Sequence, residues 1–171
     1  MTKSELIEIV STLKNNILLS MYYINLSNED KLPLKKEFLN KYNLNKSDLS
    51  IILNDKKYCK HQTFQLLKVV IKSCVTDLFE VIMDYCDSTK QKDRFKNQSF
   101  YNYLESIRHC FSHNYRFKFH DKTLKKLPFS WNGYEINESL NDKNFDFSIF
   151  PPNMFMELFN EIVTFVEKDL K

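Results

Sequence analysis

"NQSFYNYLESIRHCFSHNYRFKF", residues 97–119, changes its period half-way along. Up to His113 the apolar residues Phe100, Tyr103, Leu104, Ile107, Cys110 and Phe111 recur at intervals of three and four, which marks one face of a helix. From Tyr115 the pattern is aromatic against basic in alternation (Tyr115, Arg116, Phe117, Lys118, Phe119, His120), as on a half-exposed strand. Asn114 stands between the two, and asparagine tolerates the left-handed conformation with which helices end. The stretch therefore predicts a helix over 97–113 that hands over to a β-rich insertion.

The rest of the chain supplies the other helices. A first helix is expected to begin near Thr2 to Ser4, with a Ser or Thr cap and Glu5 in its first turn. Its buried stripe would be Leu6, Ile9, Val10, Leu13 and Ile17. Residues 25–60 are polar and broken, with short helices expected near 34–42 and 47–54. Residues 61–86 carry apolar side chains around more than half the circumference, so this helix should be central and mostly buried. At 1.5 Å per residue it would run about 39 Å. A last helix follows Pro151 and Pro152, with Phe155, Leu158, Phe159, Ile162, Val163 and Val166 facing inward. Between the last two helices, Asn132-Gly133 is flanked by β-formers and predicts a type I′ hairpin turn, and "NFDFSIF" alternates again. The fold class is mainly α: a single-domain helical bundle with a small β-hairpin or meander inserted at 115–150, before the last helix.

Composition narrows the functions. Of 171 residues, 43% are hydrophobic and 15% aromatic, enough for a substantial core. Gly133 is the only glycine, which excludes the glycine-rich phosphate loops of dinucleotide-binding, kinase-like and P-loop proteins. The four cysteines form no CxxC pair and fall mostly in apolar runs, reading as buried thiols in a reducing cytoplasm. No uninterrupted apolar run is long enough to span a membrane. The formal charge is +3, but Arg108 to Lys126 holds six Lys or Arg against one acid, Asp121, so positive charge is focused on this segment.

Three of the four histidines, His109, His113 and His120, fall in the same segment. On a helix His109 and His113 lie about 40° apart, whereas Arg108 and His113 diverge by about 140°. Three chemistries compete with a helix end carrying a solvated basic loop. HxxxH spacing could give a metal two imidazoles, but the intervening Cys-Phe-Ser lacks a glutamate and Arg108 would repel the cation. Cys110 could pair with His113 as a nucleophile, but it falls on the core stripe. Phosphodiester chemistry needs a guanidinium for the phosphate and an imidazole to move a proton, and RNA brings its own nucleophile, the 2′-OH. His61 reads as a capping or solvated residue, and His120, in an expected turn beside Asp121, could line a cleft with the other histidines. Trp131 reads as hairpin packing, with base stacking as the alternative.

Arg108-His109-Cys110-Phe111-Ser112-His113 resembles the RxxxxH signature of HEPN domains, an arginine followed by a polar residue and closed by a histidine near a helix end. The helix order is also similar to that of HEPN bundles. The resemblance implies a metal-independent endoribonuclease that needs no cofactor. It would cleave RNA through 2′-OH attack at a composite site in a homodimer, in a toxin–antitoxin or phage-defence role in the cytoplasm. Arg108 would neutralise the phosphate, His113 would act as general acid/base, and His109 would be a second or alternate proton carrier. Arg116, Lys118, Lys122, Lys125 and Lys126 would bind the RNA backbone. Arg108-x4-His113-x-Tyr115 also matches a longer form whose tyrosine is adenylylated by a nucleotidyltransferase antitoxin, which makes Tyr115 a candidate modification site. The 115–150 insertion is long for a minimal member, and His109 stands where Asn is commoner. The family also includes non-catalytic modules that bind RNA, a nucleotide or a protein partner, which is the alternative reading.

Overall fold

Thr2 and Glu5 form a reciprocal capping box: the Thr2 amide donates to Glu5 Oε2 at 2.7 Å and the Glu5 amide to Thr2 Oγ1 at 3.2 Å. This starts α1 (Lys3–Asn28) where the sequence places it. In the computed structural model, residues 1–28 and 55–171 are described, and the helices expected near 34–42 and 47–54 lie outside them. The remaining elements among the described residues are α2 (Lys56–Ser88), α3 (Lys92–Lys96), α4 (Tyr101–Ser112), α5 (Asp121–Leu124), β1 (Phe129–Trp131), β2 (Tyr134–Ile136), a 3-10 turn (Glu138–Leu140) and α6 (Pro152–Lys168). Among the described residues the protein is mainly helical with one small antiparallel sheet.

The chain divides into two units, 1–15 with 72–171, and 16–71. In the second, Ile17, Ser20, Ser27, Cys59, Leu67 and Ile71 are buried, and Ser27 Oγ lies 3.5 Å from Cys59 Sγ. Asp55 Oδ1 accepts from the Tyr58 amide at 3.0 Å, capping α2 five residues before the expected start. The apolar period cannot reveal that start, because the first turn is polar. Leu66 and Val69 are exposed, so this part of α2 is less buried than its composition suggests.

In the first unit, α2 buries Cys74, Val75, Leu78, Phe79, Ile82, Tyr85 and Cys86 and leaves Asp77, Glu80 and Asp84 outward. Leu6 and Val10 of α1 are buried as expected, but Ile9 is exposed and Leu13 half-buried, so the stripe is narrower than its apolar residues suggest. α4 buries every expected residue of its stripe. It begins at Tyr101, because 97–100 form a turn in which the Tyr101 amide donates to the Gln98 carbonyl at 3.0 Å. α6 starts at Pro152 and buries the predicted face, with Val163 half-buried and Phe165 added. Lys3 Nζ donates to the carbonyls of Glu167 and Leu170, satisfying the carbonyl end of α6.

The insertion departs most from expectation. The hairpin is present, with Phe129 opposite Ile136 and Trp131 opposite Tyr134. Asn132 (φ 47°) and Gly133 (φ 83°) adopt the positive φ angles of a type I′ turn. Trp131 Nε1 donates to Glu161 Oε2 at 2.6 Å and Asn132 Nδ2 to Glu157 Oε2 at 2.6 Å, tying the hairpin to α6. Trp131 is buried against Tyr103, so it is packing. "YRFKFH" and "NFDFSIF", however, are not strands. They meet in one bridge, Arg116 with Asn144, and the chain then forms α5, which the alternating pattern conceals.

The alternation has a different cause. Phe111, Phe117, Phe145, Phe150 and Phe155 pack ring on ring, with Phe145 centroids 4.9 Å from Phe111, 5.9 Å from Phe117 and 5.0 Å from Phe150. These rings form a core plug, and the polar residues between them face out. Phe145→Ala should therefore destabilise the protein by about 3–5 kcal/mol in urea unfolding. Ile149→Ala, at an exposed position, should stay within about 0.5 kcal/mol. Similar costs for the two would contradict the plug.

Candidate active site

The core stripe of α4 dictates what its other face presents. With Leu104, Ile107, Cys110 and Phe111 buried, Glu105, Arg108 and His109 turn to an open cleft of about 340 Å³. Lys118, Phe119, His120 and Thr123 form part of its lining, brought there by the segment after α4. Asn114 (φ 54°) and Tyr115 (φ 62°) are successive left-handed residues, and they turn the chain. Tyr115 holds a conformation that disfavours a side chain by roughly 1–2 kcal/mol. It is offset by the Phe145 amide donating to the Tyr115 carbonyl at 2.6 Å and by the Tyr115 ring meeting Phe111 edge-on at 5.2 Å.

Arg108 is half-buried. Its Nη2 donates to Glu80 Oε1 in an ion pair, its guanidinium lies 5.5 Å from the Phe79 ring centroid, and its Nε is buried without a hydrogen-bond partner. The guanidinium is thus anchored on α2 while its residue lines the cleft. His109 and His113 meet edge-on at 4.9 Å between ring centroids, and His109 and His120 lie 6.1 Å apart. His113 caps α4, is exposed and is not part of the cleft lining. The divergence of Arg108 and His113 expected from helix geometry is therefore accompanied by a convergence of Arg108, His109 and His120.

Burial, followed by the charges of His113, Arg108 and His120, holds the His109 imidazole below the usual histidine range, against the opposing effect of Glu105. The Glu105 carboxylate accepts from the Tyr101 hydroxyl at 2.9 Å. Burial pushes the Cys110 thiol up to about 12, so it is no nucleophile at neutral pH. No group of three or more His, Cys, Asp or Glu side chains among the described residues is arranged to hold a metal ion.

The basic residues separate into kinds. Lys118 belongs to the cleft, and Lys122, Lys125 and Lys126 are exposed on and just after α5. Arg116 is engaged elsewhere: its Nε donates to the Asp142 carbonyl at 3.0 Å and lies 3.4 Å from Asp142 Oδ1. Tyr115 is half-buried, with Lys72 Nζ 5.3 Å from its ring centroid, and burial raises its hydroxyl pKa. His61 is exposed on α2, with Nε2 3.4 Å from Gln65 Nε2. Sequence reasoning missed Glu80 and Glu105. Glu105 precedes His109 by four residues, a helical neighbour that spacing could have revealed. Glu80 meets Arg108 from another helix and leaves no local signal. No helix among the described residues is long and apolar enough to cross a membrane.

The depressed His109 value has a definite consequence. The unfolded chain takes up a proton at this residue near pH 6.5, before the folded protein does. The stability His109 contributes is therefore fully present above pH 6.5 and is lost as pH falls through the lowered value. Imidazole NMR titration should place His109 below 6.5, and Arg108→Gln should raise it only part-way, burial being the larger cause. Titration of His109 at or above 6.5 in the folded protein would contradict this environment. Comparison with known proteins finds no match: no family model, no curated protein and no solved structure matches the chain.

Proposed function

We propose that this protein is a HEPN-like helical bundle acting as a metal-independent endoribonuclease. The observation that carries the reading is the cleft in which Arg108, His109, His120 and Lys118 converge. A guanidinium and an ammonium suit a phosphodiester, and imidazole is the side chain best matched to proton transfer near neutral pH. The RxxxxH resemblance points to the same residues. In this reading Arg108 neutralises the phosphate and the charge developing on it. His109, kept neutral in the ligand-free protein, takes the proton from the 2′-OH. His113, edge-on to His109 and open to solvent, forms a proton-carrying pair with it. Lys122, Lys125 and Lys126 continue the positive surface along the RNA backbone. The two-fold dimer belongs to the proposal as the arrangement that would set a second motif opposite the first, and toxin or phage defence is the role it would serve.

One observation favours a second reading. Glu80 already occupies the Arg108 guanidinium, and an arginine held in this way suits a module that binds RNA, a nucleotide or a protein without cutting.

Cleavage by the 2′-OH leaves a 2′,3′-cyclic phosphate and a 5′-OH. RNA should be cut in EDTA, and a strand with hydrogen at every 2′ position should survive. Arg108→Ala and His109→Ala should each lower the rate by a factor of about 10²–10⁴ while staying folded, and His113→Ala, which removes only the solvent-side partner of His109, should lower it less. Lys125→Ala should weaken RNA binding and flatten its salt dependence, with little effect on the rate at saturation. Wild-type protein that binds RNA with this salt dependence and never cuts it would establish the binding reading instead. An activity unaffected by Arg108→Ala and His109→Ala would belong to another site or a contaminant.

A further inference from the structure

An RNA cleavage of this kind needs two proton transfers, one from the attacking 2′-OH and one to the departing 5′-oxygen. Arg108 and His109 account for phosphate binding and for the first transfer. The second requires another group in the same cleft, and His120 belongs to its lining whereas His113 does not. We propose that His120 is the second catalytic imidazole and protonates the leaving 5′-oxygen.

The geometry assigns this role to His120 on three grounds. First, His120 lines the cleft with Arg108 and His109, its ring 6.1 Å from that of His109. By contrast the His113 ring is in edge contact with His109 at 4.9 Å. Second, the backbone of His120 is fixed while its side chain is spare. Its carbonyl accepts from the amides of Thr123 at 2.8 Å and Leu124 at 3.0 Å, and it precedes α5 in an extended conformation. Its imidazole makes no capping hydrogen bond, although this is the position where a side chain would normally cap a helix. Third, the partner roles divide naturally. His109 is half-buried and faced by Arg108, His113 and His120, with Glu105 the opposing carboxylate, which keeps it neutral and able to accept a proton.

The step balances without a further reactant. The 2′-oxygen forms a bond to phosphorus as its proton passes to His109. The phosphorus–5′-oxygen bond breaks, and the departing oxygen takes the proton from the His120 imidazolium. The products are a 2′,3′-cyclic phosphate and a 5′-OH, with His109 protonated and His120 neutral. Exchange with water restores both.

This inference rests on the ribonuclease reading, and one experiment separates them. An RNA strand is made with either the ordinary 5′-oxygen or a bridging 5′-sulfur at the cut position, and both are tested in EDTA. A thiolate leaves without being protonated, so the sulfur substrate does not need the acid. On the oxygen substrate His120→Ala, and the closer-shaped His120→Asn, should be slower than wild type by a factor of about 10²–10⁴. On the sulfur substrate both should return to within about ten-fold of wild type, whereas His109→Ala should stay slow on both. Wild-type rates for the His120 variants on the oxygen substrate, or equal defects on the two substrates, would overturn the assignment and leave the ribonuclease reading standing. Failure of the wild type to cut either strand would remove both.

Discussion

The packing of one phenylalanine plug governs the geometry of the site. Phe111 projects from α4, Phe117 from the segment after it, Phe145 and Phe150 from the end of the insertion and Phe155 from α6. Each ring is buried, and aromatic pairs add about 0.5–1.5 kcal/mol beyond the area they bury. Their mutual contact holds an irregular, glycine-poor segment against the end of a helix. Hydrogen bonds reinforce it at its two ends, where the Phe117 amide donates to the Lys143 carbonyl at 2.9 Å and the Phe119 amide to Asn141 Oδ1 at 3.0 Å. With 117 and 119 fixed, His120 follows into the cleft beside His109. The candidate residue His120 is therefore positioned by apolar core packing with hydrogen bonds at its edge.

Electrostatics completes what packing begins. After burial, the charges of His113, Arg108 and His120 each disfavour a proton on His109. Glu80 and Glu105 answer part of that charge, Glu80 through its ion pair with Arg108. The Glu80–Arg108 pair is partly exposed and contributes little to stability. Its consequence is positional: the guanidinium is held against Phe79 on the cleft wall. Under the proposed function, a phosphate would have to share the arginine with Glu80 or displace it, so its affinity would depend on how much of the remaining cationic field it met.

The parts legible in sequence were those set by neighbours along the chain. The α4 stripe, the Thr2–Glu5 capping box, the proline start of α6 and the Asn132-Gly133 turn each depend on residues within a few positions of one another, and each lies where its pattern implies. Only the flanks of the hairpin mislead, because aromatic residues alternating with polar ones are equally the pattern of a strand and of a loop that feeds successive rings into a core. Distance along the chain decides the site in the same way. Arg108 and His109 could be found from their motif, but Glu80 stands 28 residues from Arg108, and His120 reaches His109 only through a turn made by Asn114 and Tyr115. Asn114 is a residue that signals such a turn, whereas Tyr115 in a left-handed conformation does not.

The central claim is that Arg108, His109 and His120 form one phosphate-binding site. Its most direct measurement is a titration of the protein with uridine 3′-phosphate in EDTA, following the imidazole resonances of all four histidines by NMR. The resonances of His109 and His120 should move together along one saturation curve, His61 should stay still, and Arg108→Ala should shift the curve to higher ligand concentration. Movement of His120 without His109, or saturation unchanged by the loss of Arg108, would contradict a single shared site.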